Sequence, residues 1–407
     1  MNCRHCQNSL RHVFLDLGFA PPSNNYLSES DTDLPEITYP LKLFVCEACW
    51  LVQTKDYSKA SDLFSNEYAY FSSTSKSWLE HAAVYTTQII KKQNLSKSSF
   101  VIEIASNDGY LLKNFVQAGI PCLGIEPTNS TAIEAERKGI PVLREFFGSK
   151  LAKKMVAAGN LADLICGNNV YAHVPDINDF TKGLKLILKE DGIINLEFPH
   201  LMRLIENNQF DTVYHEHFSY LSLKTVVTIF YSAGLKIFDV EELSTHGGSL
   251  RIYACHQDSA RVVSDAVVVL LEQEDLFGLT NLKVYSDFQN KANKVKDDFI
   301  SFLIEQKRKG KTVAAYGAAA KGNTLMNYAG LKTDLIDFVC DAAPSKQGKY
   351  MPGNHLPIVH PSELTRLKPD WVVIFPWNIS SEILHQFKES CWGGRFVIAI
   401  PELRILN

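Results

Sequence analysis

The sequence contains no apolar run that is long enough to span a membrane. No segment approaches the roughly eighteen uninterrupted apolar residues of a transmembrane helix, and the first residues lack the charged and then apolar pattern of a signal peptide. We therefore expect a cytoplasmic protein with no membrane partner. A strong excess of one charge is also missing, because 41 basic residues face 45 acidic ones and the formal charge is −4. This balance argues against electrostatic binding to nucleic acid.

The chain of 407 residues is too long for one typical domain, so we expect two or three. Short apolar stretches alternate with helical patterns in the middle of the chain and again near its end, which is typical of βαβ units around a parallel sheet. The stretches KIFDVEEL and SLRIYACH are joined by a short turn and predict an antiparallel pair. We predict an α/β protein with a zinc-binding module at 1–66, a Rossmann-like domain at 67–270 and a second Rossmann-like domain at 271–407.

Four of the nine cysteines form two Cys-x-x-Cys pairs near the start of the chain. The pairs have the same internal spacing, and four thiolates suit one tetrahedral zinc ion in a closed, structural site. The alternatives are two redox dithiols or cysteines without a common role. The other five cysteines are scattered singly, as expected for reduced thiols. The predicted zinc ligands are Cys3, Cys6, Cys46 and Cys49.

Glycine is scarce in VIEIASNDGYLLKNF, which we predict to be the first strand-to-helix turn of the middle domain. A dinucleotide site carries Gly-x-Gly-x-x-Gly at this turn, but here Gly109 stands nearly alone and Asp108 adds a carboxylate that would repel phosphate. A cofactor with a cationic centre and no phosphate fits better, so we predict S-adenosylmethionine. Glu126 ends the next strand, where it is suited to bind ribose hydroxyls.

The predicted cofactor residues lie at successive strand ends, where the ligands of doubly wound sheets bind. Taken singly, the carboxylates among them could be loop or cap residues. Asn168 and Asn169 would contact the methionine or adenine part of the cofactor, or else form Asx turns. The predicted set is Glu103, Ala105, Asn107, Asp108, Gly109, Glu126, Pro127, Asn168 and Asn169.

Polar and aromatic residues are concentrated in DTVYHEHFSYLS. His215 and His217 are two residues apart and do not have the His-Glu-x-x-His spacing of a catalytic zinc site, so no catalytic metal is expected. We predict that His217 is a general base, supported by the neighbouring carboxylate of Glu216. The alternative is a pair of surface or structural histidines.

The chain resembles, over nearly its whole length, the sugar C-methyltransferases that modify nucleotide-linked deoxysugars, a family typified by the C-3′-methyltransferase of the tetronitrose pathway. The matching segments are the two Cys-x-x-Cys pairs, EYAYFSSTSKSW, EIASNDGYLLKNF, GIEPT, GNNVYAHVPD, VYHEHFSYLS, HGGSLR, AAYGAAAKGNTLMN and FPWN. The resemblance implies a monomer with a structural zinc, in which the C-terminal domain helps to enclose a dTDP- or other NDP-linked 4-keto sugar. The active-site groups that it implies are Tyr68 or Tyr70, His173, Tyr214, Glu216 and His217.

For this substrate class we expect methylation at C-3′ through an enolate, in deoxysugar biosynthesis for a natural product or a surface polysaccharide. His217 would remove the C-3′ proton while Tyr214 or His173 hydrogen-bonds the 4-keto oxygen, and the roles of His217 and Tyr214 could be reversed. The enolate carbon would then attack the methyl group on the sulfonium.

Further candidate substrate residues lie in HGGSLR and AYGAAAKGN. Lys321 and Asn323 could meet a diphosphate at a helix start, or this domain could be an inherited fold without a nucleotide. His246 precedes two glycines that permit close backbone approach to the active site, although a simple strand turn is equally consistent. Two other classes remain as alternatives. An NAD-linked nucleotide-sugar oxidoreductase would need glycine-rich turns, and a non-catalytic zinc-containing binding protein would not need the cluster around His217.

Overall fold

The computed structural model describes residues 1–57, 71–387 and 392–406, and its strands form three sheets. The strands are β1 (His12–Ala20), β2 (Tyr39–Val45), β3 (Val52–Thr54), β4 (Val101–Ile104), β5 (Cys122–Ile125), β6 (Val142–Leu143), β7 (Ala162–Asn168), β8 (Leu188–Pro199), β9 (Ser219–Tyr220), β10 (Leu235–Leu243), β11 (Ser249–His256), β12 (Val313–Tyr316), β13 (Val339–Cys340), β14 (Ile358–Val359), β15 (Trp371–Ile374), β16 (Arg395–Ile398) and β17 (Arg404–Leu406). The α-helices are α1 (Lys76–Lys92), α2 (Leu112–Gln117), α3 (Asn129–Arg137), α4 (Ser149–Ala157), α5 (Ile177–Ile187), α6 (Leu201–Glu206), α7 (Leu223–Ser232), α8 (Asp265–Phe277), α9 (Leu282–Ser286), α10 (Phe288–Arg308), α11 (Ala320–Ala329), α12 (Ser362–Leu367) and α13 (Ser380–Phe387).

The first sheet is small and antiparallel, with the strand order β1-β2-β3-β9. Apolar side chains alternate along β2, where Leu41, Leu43 and Val45 are buried, as expected for a strand with one face on the core. The fourth strand, β9, comes from the middle of the chain, and its Tyr220 pairs with Val52 of β3. The N-terminal module therefore shares a sheet with the segment that follows His217.

The second sheet has seven strands in the order β10-β11-β8-β7-β4-β5-β6. Strands β4 to β8 run parallel, whereas β11 is antiparallel to β8 and β10 is antiparallel to β11. All four residues of β4 are buried and three of them are apolar, as expected for a strand of a covered parallel sheet. The antiparallel pair predicted for KIFDVEEL and SLRIYACH is confirmed.

The third sheet has the order β14-β13-β12-β15-β16-β17 and is parallel except for β17. Helix α11 follows β12 and docks on the middle of the chain, where the Thr324 hydroxyl donates to the Val213 carbonyl at 2.7 Å. The predicted class, an N-terminal zinc module with two Rossmann-like α/β units, is confirmed, while the boundaries at 66 and 270 stay predictions. Among the residues that the structure describes, no helix has the length and apolar character of a membrane span.

Candidate active site

The four predicted zinc ligands lie together at one end of the first sheet. The sulfurs of Cys3, Cys6, Cys46 and Cys49 all lie within 4.8 Å of one another, and two cross-pair distances are 3.5 Å. Zinc–sulfur bonds of about 2.3 Å in a tetrahedron place the sulfurs about 3.8 Å apart. The geometry therefore fits one zinc ion with no position left for a reactant, which is a structural site.

The two cysteine pairs form nearly identical turns. Gln7 and Trp50 each follow the second cysteine of a pair and have left-handed φ values of 63° and 62°. The N–H of each donates to the carbonyl of the first cysteine in its own pair, at 3.0 and 2.8 Å. Gln53 also donates its side-chain amide to the sulfur of Cys3 at 3.2 Å, a contact that orients a ligand from outside the metal shell.

The loop between β4 and α2 takes a tight shape without the glycines that usually permit it. Ala105, Asn107 and Gly109 have φ values of 57°, 50° and 74°, so every second residue is left-handed. Only one of the three is glycine, and a left-handed alanine costs on the order of 1 kcal/mol. Backbone strain of this kind is typical of binding sites, where the strained conformation positions groups that contact a ligand.

Three buried carboxylates converge at this loop. Glu126 accepts the N–H of Asn107 and the N–H of Thr128, both at 2.9 Å. It therefore stabilises the loop, as the alternative of a loop or cap residue predicted. A carboxylate has about four acceptor positions, which leaves room for ribose hydroxyls as well. Burial, with the charges of Asp108 and Glu126, raises the pKa of Glu103 well above its ordinary value.

S-adenosylmethionine fits this surplus of negative charge. One oxygen of Asp108 is buried and has no hydrogen-bond partner among the described residues, and the other lies 3.5 Å from the Lys138 ammonium. A buried acceptor of this kind needs a donor or a cation, because desolvation would otherwise destabilise it. The sulfonium and ammonium groups of the cofactor are cationic, so residues at this edge would hold it.

The other predicted cofactor residues lie at the same edge of the parallel strands. Pro127 comes just after β5, Asn168 ends β7, and Asn169 follows it in a left-handed conformation. The Asn169 side chain donates to Nε2 of His246 at 3.0 Å, and the His246 ring meets Trp78 edge to face at 5.0 Å. His246 is therefore part of the wall beside the cofactor edge.

Two histidines meet beside this edge, with ring centroids 4.5 Å apart. Nδ1 of His217 donates to the Thr212 carbonyl at 3.1 Å, and Nδ1 of His173 donates to the Glu216 carbonyl at 2.8 Å. Because a carbonyl can only accept, Nε2 is the acceptor nitrogen of each neutral ring. Burial lowers the pKa of His173 to about 4 and that of His217 well below its ordinary value, so both are neutral at pH 7. The Tyr214 ring lies 4.0 Å from that of His217.

The prediction that the Glu216 carboxylate supports His217 is wrong. The chain turns from Tyr214 to His217, and the turn is closed by a 3.0 Å bond from the His217 N–H to the Tyr214 carbonyl. Glu216 accepts instead from the side-chain amide of Asn24 in the N-terminal module, at 3.2 Å. Burial raises the pKa of Glu216.

The predicted tyrosines, Tyr68 and Tyr70, lie outside the described residues. The chain that follows them is held on the cofactor loop, because the N–H of Ser72 donates to the Asn107 side chain at 2.9 Å. This contact places Ser72 on the cofactor loop.

The sequence prediction missed Asp211, which lies at the junction with the third sheet. Asp211 is only 1% exposed; one oxygen accepts the Trp377 indole N–H at 2.8 Å, and the other has no partner in the described ranges. Burial raises its pKa to about 6. The predicted residue Lys321 lies over the Trp377 ring, 4.5 Å from its centroid, and Asn323 is fully buried beside it in α11. The signal was present, because Asp211 opens the DTVYHEHF cluster and Trp377 lies in FPWN.

Three family models match the chain. "Putative zinc binding domain" covers residues 3–64, "Methyltransferase domain" covers 79–240 and "C-methyltransferase C-terminal domain" covers 244–401. The chain is also 33% identical over 406 residues to the C-methyltransferase NovU of Streptomyces niveus, a match that spans 100% of this chain and 96% of that protein.

The solved structures that match part of the chain are more distant. A S-adenosylmethionine-dependent methyltransferase from Clostridium acetobutylicum is 13% identical, with 44% of this chain and 92% of that chain covered and a TM-score of 0.36. Magnesium protoporphyrin IX methyltransferase from Synechocystis PCC 6803 is 15% identical, with 44% and 79% covered and a TM-score of 0.34.

Proposed function

The chain belongs to the C-methyltransferase family, and from this premise we propose that it methylates C-3′ of a dTDP-linked 4-keto-6-deoxysugar, with S-adenosylmethionine as donor. The observation that carries the proposal is the position of His217. This neutral histidine has Nε2 as its acceptor nitrogen. Its ring lies 4.5 Å from that of His173, which follows β7 at the cofactor edge, and Val213 in the same segment accepts a hydrogen bond from Thr324 of α11. A base placed between the cofactor and an opposing domain suits proton removal from a substrate held between them.

The residues supply what C-methylation beside a ketone requires. A carbon next to a carbonyl is a weak acid, so its proton needs a positioned base and its oxygen needs a hydrogen-bond donor as charge develops. In our proposal Nε2 of His217 takes the C-3′ proton, and the Thr212 carbonyl holds the ring in place through Nδ1. When bound, S-adenosylmethionine supplies an electrophilic methyl group.

The tautomers favour Tyr214 over His173 as the donor to the 4-keto oxygen. His173 already donates from Nδ1 to a backbone carbonyl, and burial keeps the ring neutral, so its Nε2 carries no proton to donate. The hydroxyl of Tyr214 can donate, and its ring is adjacent to that of His217.

The substrate side of the site would be formed by helix α11, which follows strand β12 of the third sheet. Lys321 and Asn323 lie in the first turn of α11, where an ammonium and helix N–H groups favour a diphosphate. Lys321 also donates to the Asn378 side chain at 2.9 Å, which fixes the position of its charge. Asp211 and Glu216 each have an unpartnered oxygen among the described residues and would accept from sugar groups.

Mass spectrometry of the products tests this proposal directly. The protein is incubated with S-adenosylmethionine and a panel of dTDP- and GDP-linked 4-keto-6-deoxysugars, and we expect one methyl gain on a dTDP-linked member. Calorimetry should show micromolar binding of S-adenosylhomocysteine and none of NADH. A methyl gain on no sugar of the panel, or binding of NADH alone, would contradict the proposal.

A further inference from the structure

Arg4 lies between the two cysteines of the first pair, but its side chain is directed at the middle of the chain. The side chain is only 7% exposed. One guanidinium nitrogen donates to the Pro175 carbonyl at 2.6 Å, and the other donates to the Thr54 carbonyl at 2.9 Å and to Asp56 at 2.8 Å. The planar group also lies 5.4 Å from the centre of the Phe218 ring.

These partners adjoin both histidines of the proposed site. Pro175 comes two residues after His173, and Phe218 directly follows His217. Backbone bonds join the same segments, because the Phe218 N–H donates to the Ala172 carbonyl at 2.8 Å and the Thr54 N–H donates to the Phe218 carbonyl at 3.1 Å. Arg4 therefore contacts both of the chain segments whose separation sets the distance between the two rings.

The next residue of the zinc turn makes a second connection to the same region. His5 and Asn178 form a ring-to-amide bond of 2.8 Å, and the Asn178 amide donates to the His5 carbonyl, also at 2.8 Å. Asn178 lies in the first turn of α5, directly after the His173 segment. Both residues between the first two zinc ligands are thus bonded to this segment.

We propose that Arg4 is a positioning residue of the active site, through which the zinc turn holds the His173 segment against the His217 segment. The inference rests on the proposed function for the role of the histidines. Zinc bound by Cys3 and Cys6 would fix the backbone on either side of Arg4 and give the guanidinium a rigid support. The planar guanidinium of Arg4 donates to two carbonyls at once, whereas the single ammonium group of a lysine would not.

Arg4→Met and Arg4→Lys test this inference, with Arg11→Met as the control at an exposed arginine of the same module. Zinc content, S-adenosylhomocysteine affinity, the rate of deuterium exchange at the sugar α-carbon and the imidazole nitrogen NMR signals are measured. We expect Arg4→Met to retain zinc and cofactor affinity and to lose exchange by roughly 10- to 100-fold, because small displacements of a base are costly. The signals of His173 and His217 should shift, and Arg4→Lys should restore part of the rate.

The inference would be overturned if zinc-loaded Arg4→Met exchanged deuterium at the parental rate and showed unshifted imidazole signals. Loss of zinc in Arg4→Met would also overturn it, since Arg4 would then serve only the metal turn. If Arg4→Met does not fold, Asn178→Ala cuts the second connection and should cause the same shifts. If the unmodified protein exchanges no proton of any sugar, the proposed function fails, while the imidazole signals still test the role of Arg4.

Discussion

At the scale of single residues, two backbone carbonyls set the chemistry available to His173 and His217. Each ring donates from Nδ1 to a carbonyl and keeps Nε2 as an acceptor. The sequence identified both histidines but assigned Glu216 as the partner of His217, because the two are adjacent in the chain. The Glu216 carboxylate accepts from Asn24, and the Thr212 carbonyl is the partner of His217 instead.

His217→Ala should slow proton removal without affecting cofactor binding. A general base contributes about 10²- to 10⁴-fold, so deuterium exchange at the sugar α-carbon should slow by that factor while S-adenosylhomocysteine binding is unchanged. His215→Ala is the matched control, because its Nε2 contacts the Tyr39 carbonyl in the N-terminal module at 3.3 Å. Unchanged exchange in His217→Ala would move the role of base to Tyr214.

At the scale of elements, the cofactor loop shows that glycine content does not by itself fix a turn. Ala105 and Asn107 are left-handed although neither is glycine. Backbone bonds hold the loop in this shape, since the N–H of Ala105 donates to the Ile125 carbonyl at 2.8 Å and that of Asn107 to Glu126 at 2.9 Å. These contacts come from the neighbouring strand and offset the local strain.

Ala105→Gly is therefore expected not to destabilise the protein. Glycine removes the strain of a positive φ, which balances its greater freedom in the unfolded chain. Ala83→Gly, at an exposed position inside α1, is the matched control and should lower the free energy of unfolding by about 1 kcal/mol. Urea unfolding of both variants measures the difference. An equal loss in both would show that Ala105 is not strained.

At the scale of the whole molecule, the three sheets meet around the proposed site. The first sheet incorporates β9, the second carries the cofactor loop, and α11 of the third docks on Val213. The indole of Trp377 reaches Asp211 across the same junction. The site is therefore assembled from segments of the entire chain.

Asp211→Asn should stabilise the protein above pH 6. Burial raises the folded-state pKa of Asp211 from 3.8 to about 6, so its ionisation destabilises the folded state as pH rises through that value. Below pH 3.8 the carboxyl is protonated in both states and the advantage vanishes. Asparagine keeps an oxygen for the indole N–H and carries no charge. Urea unfolding above pH 6 and below pH 3.8 measures the difference between Asp211→Asn and the unmodified protein. Asp258→Asn, at an exposed position, is the control. An Asp211→Asn protein that is less stable than the unmodified one above pH 6 would contradict the prediction.

Much of the architecture could be predicted because its signals are local. The buried run VIEI predicted a covered parallel strand, and the matched Cys-x-x-Cys pairs predicted one zinc site. Strand β9 could not be predicted, since two residues, Ser219 and Tyr220, carry no periodic pattern and pair with a strand far away in the sequence. Asp211 opens a polar cluster that is visible in the sequence, but its contact with Trp377 spans 166 positions and has no local signal.

The sequence by itself determined the α/β class and the cluster of four cysteines, and it predicted the cofactor turn, because spacing and apolar periodicity act over a few residues. Only the tertiary structure decided the tautomers of His173 and His217 and the contacts of Arg4. These depend on pairs such as Arg4 and Pro175, which are 171 positions apart. Hydrogen bonds between such distant groups form only when sheets pack, so no local pattern encodes them.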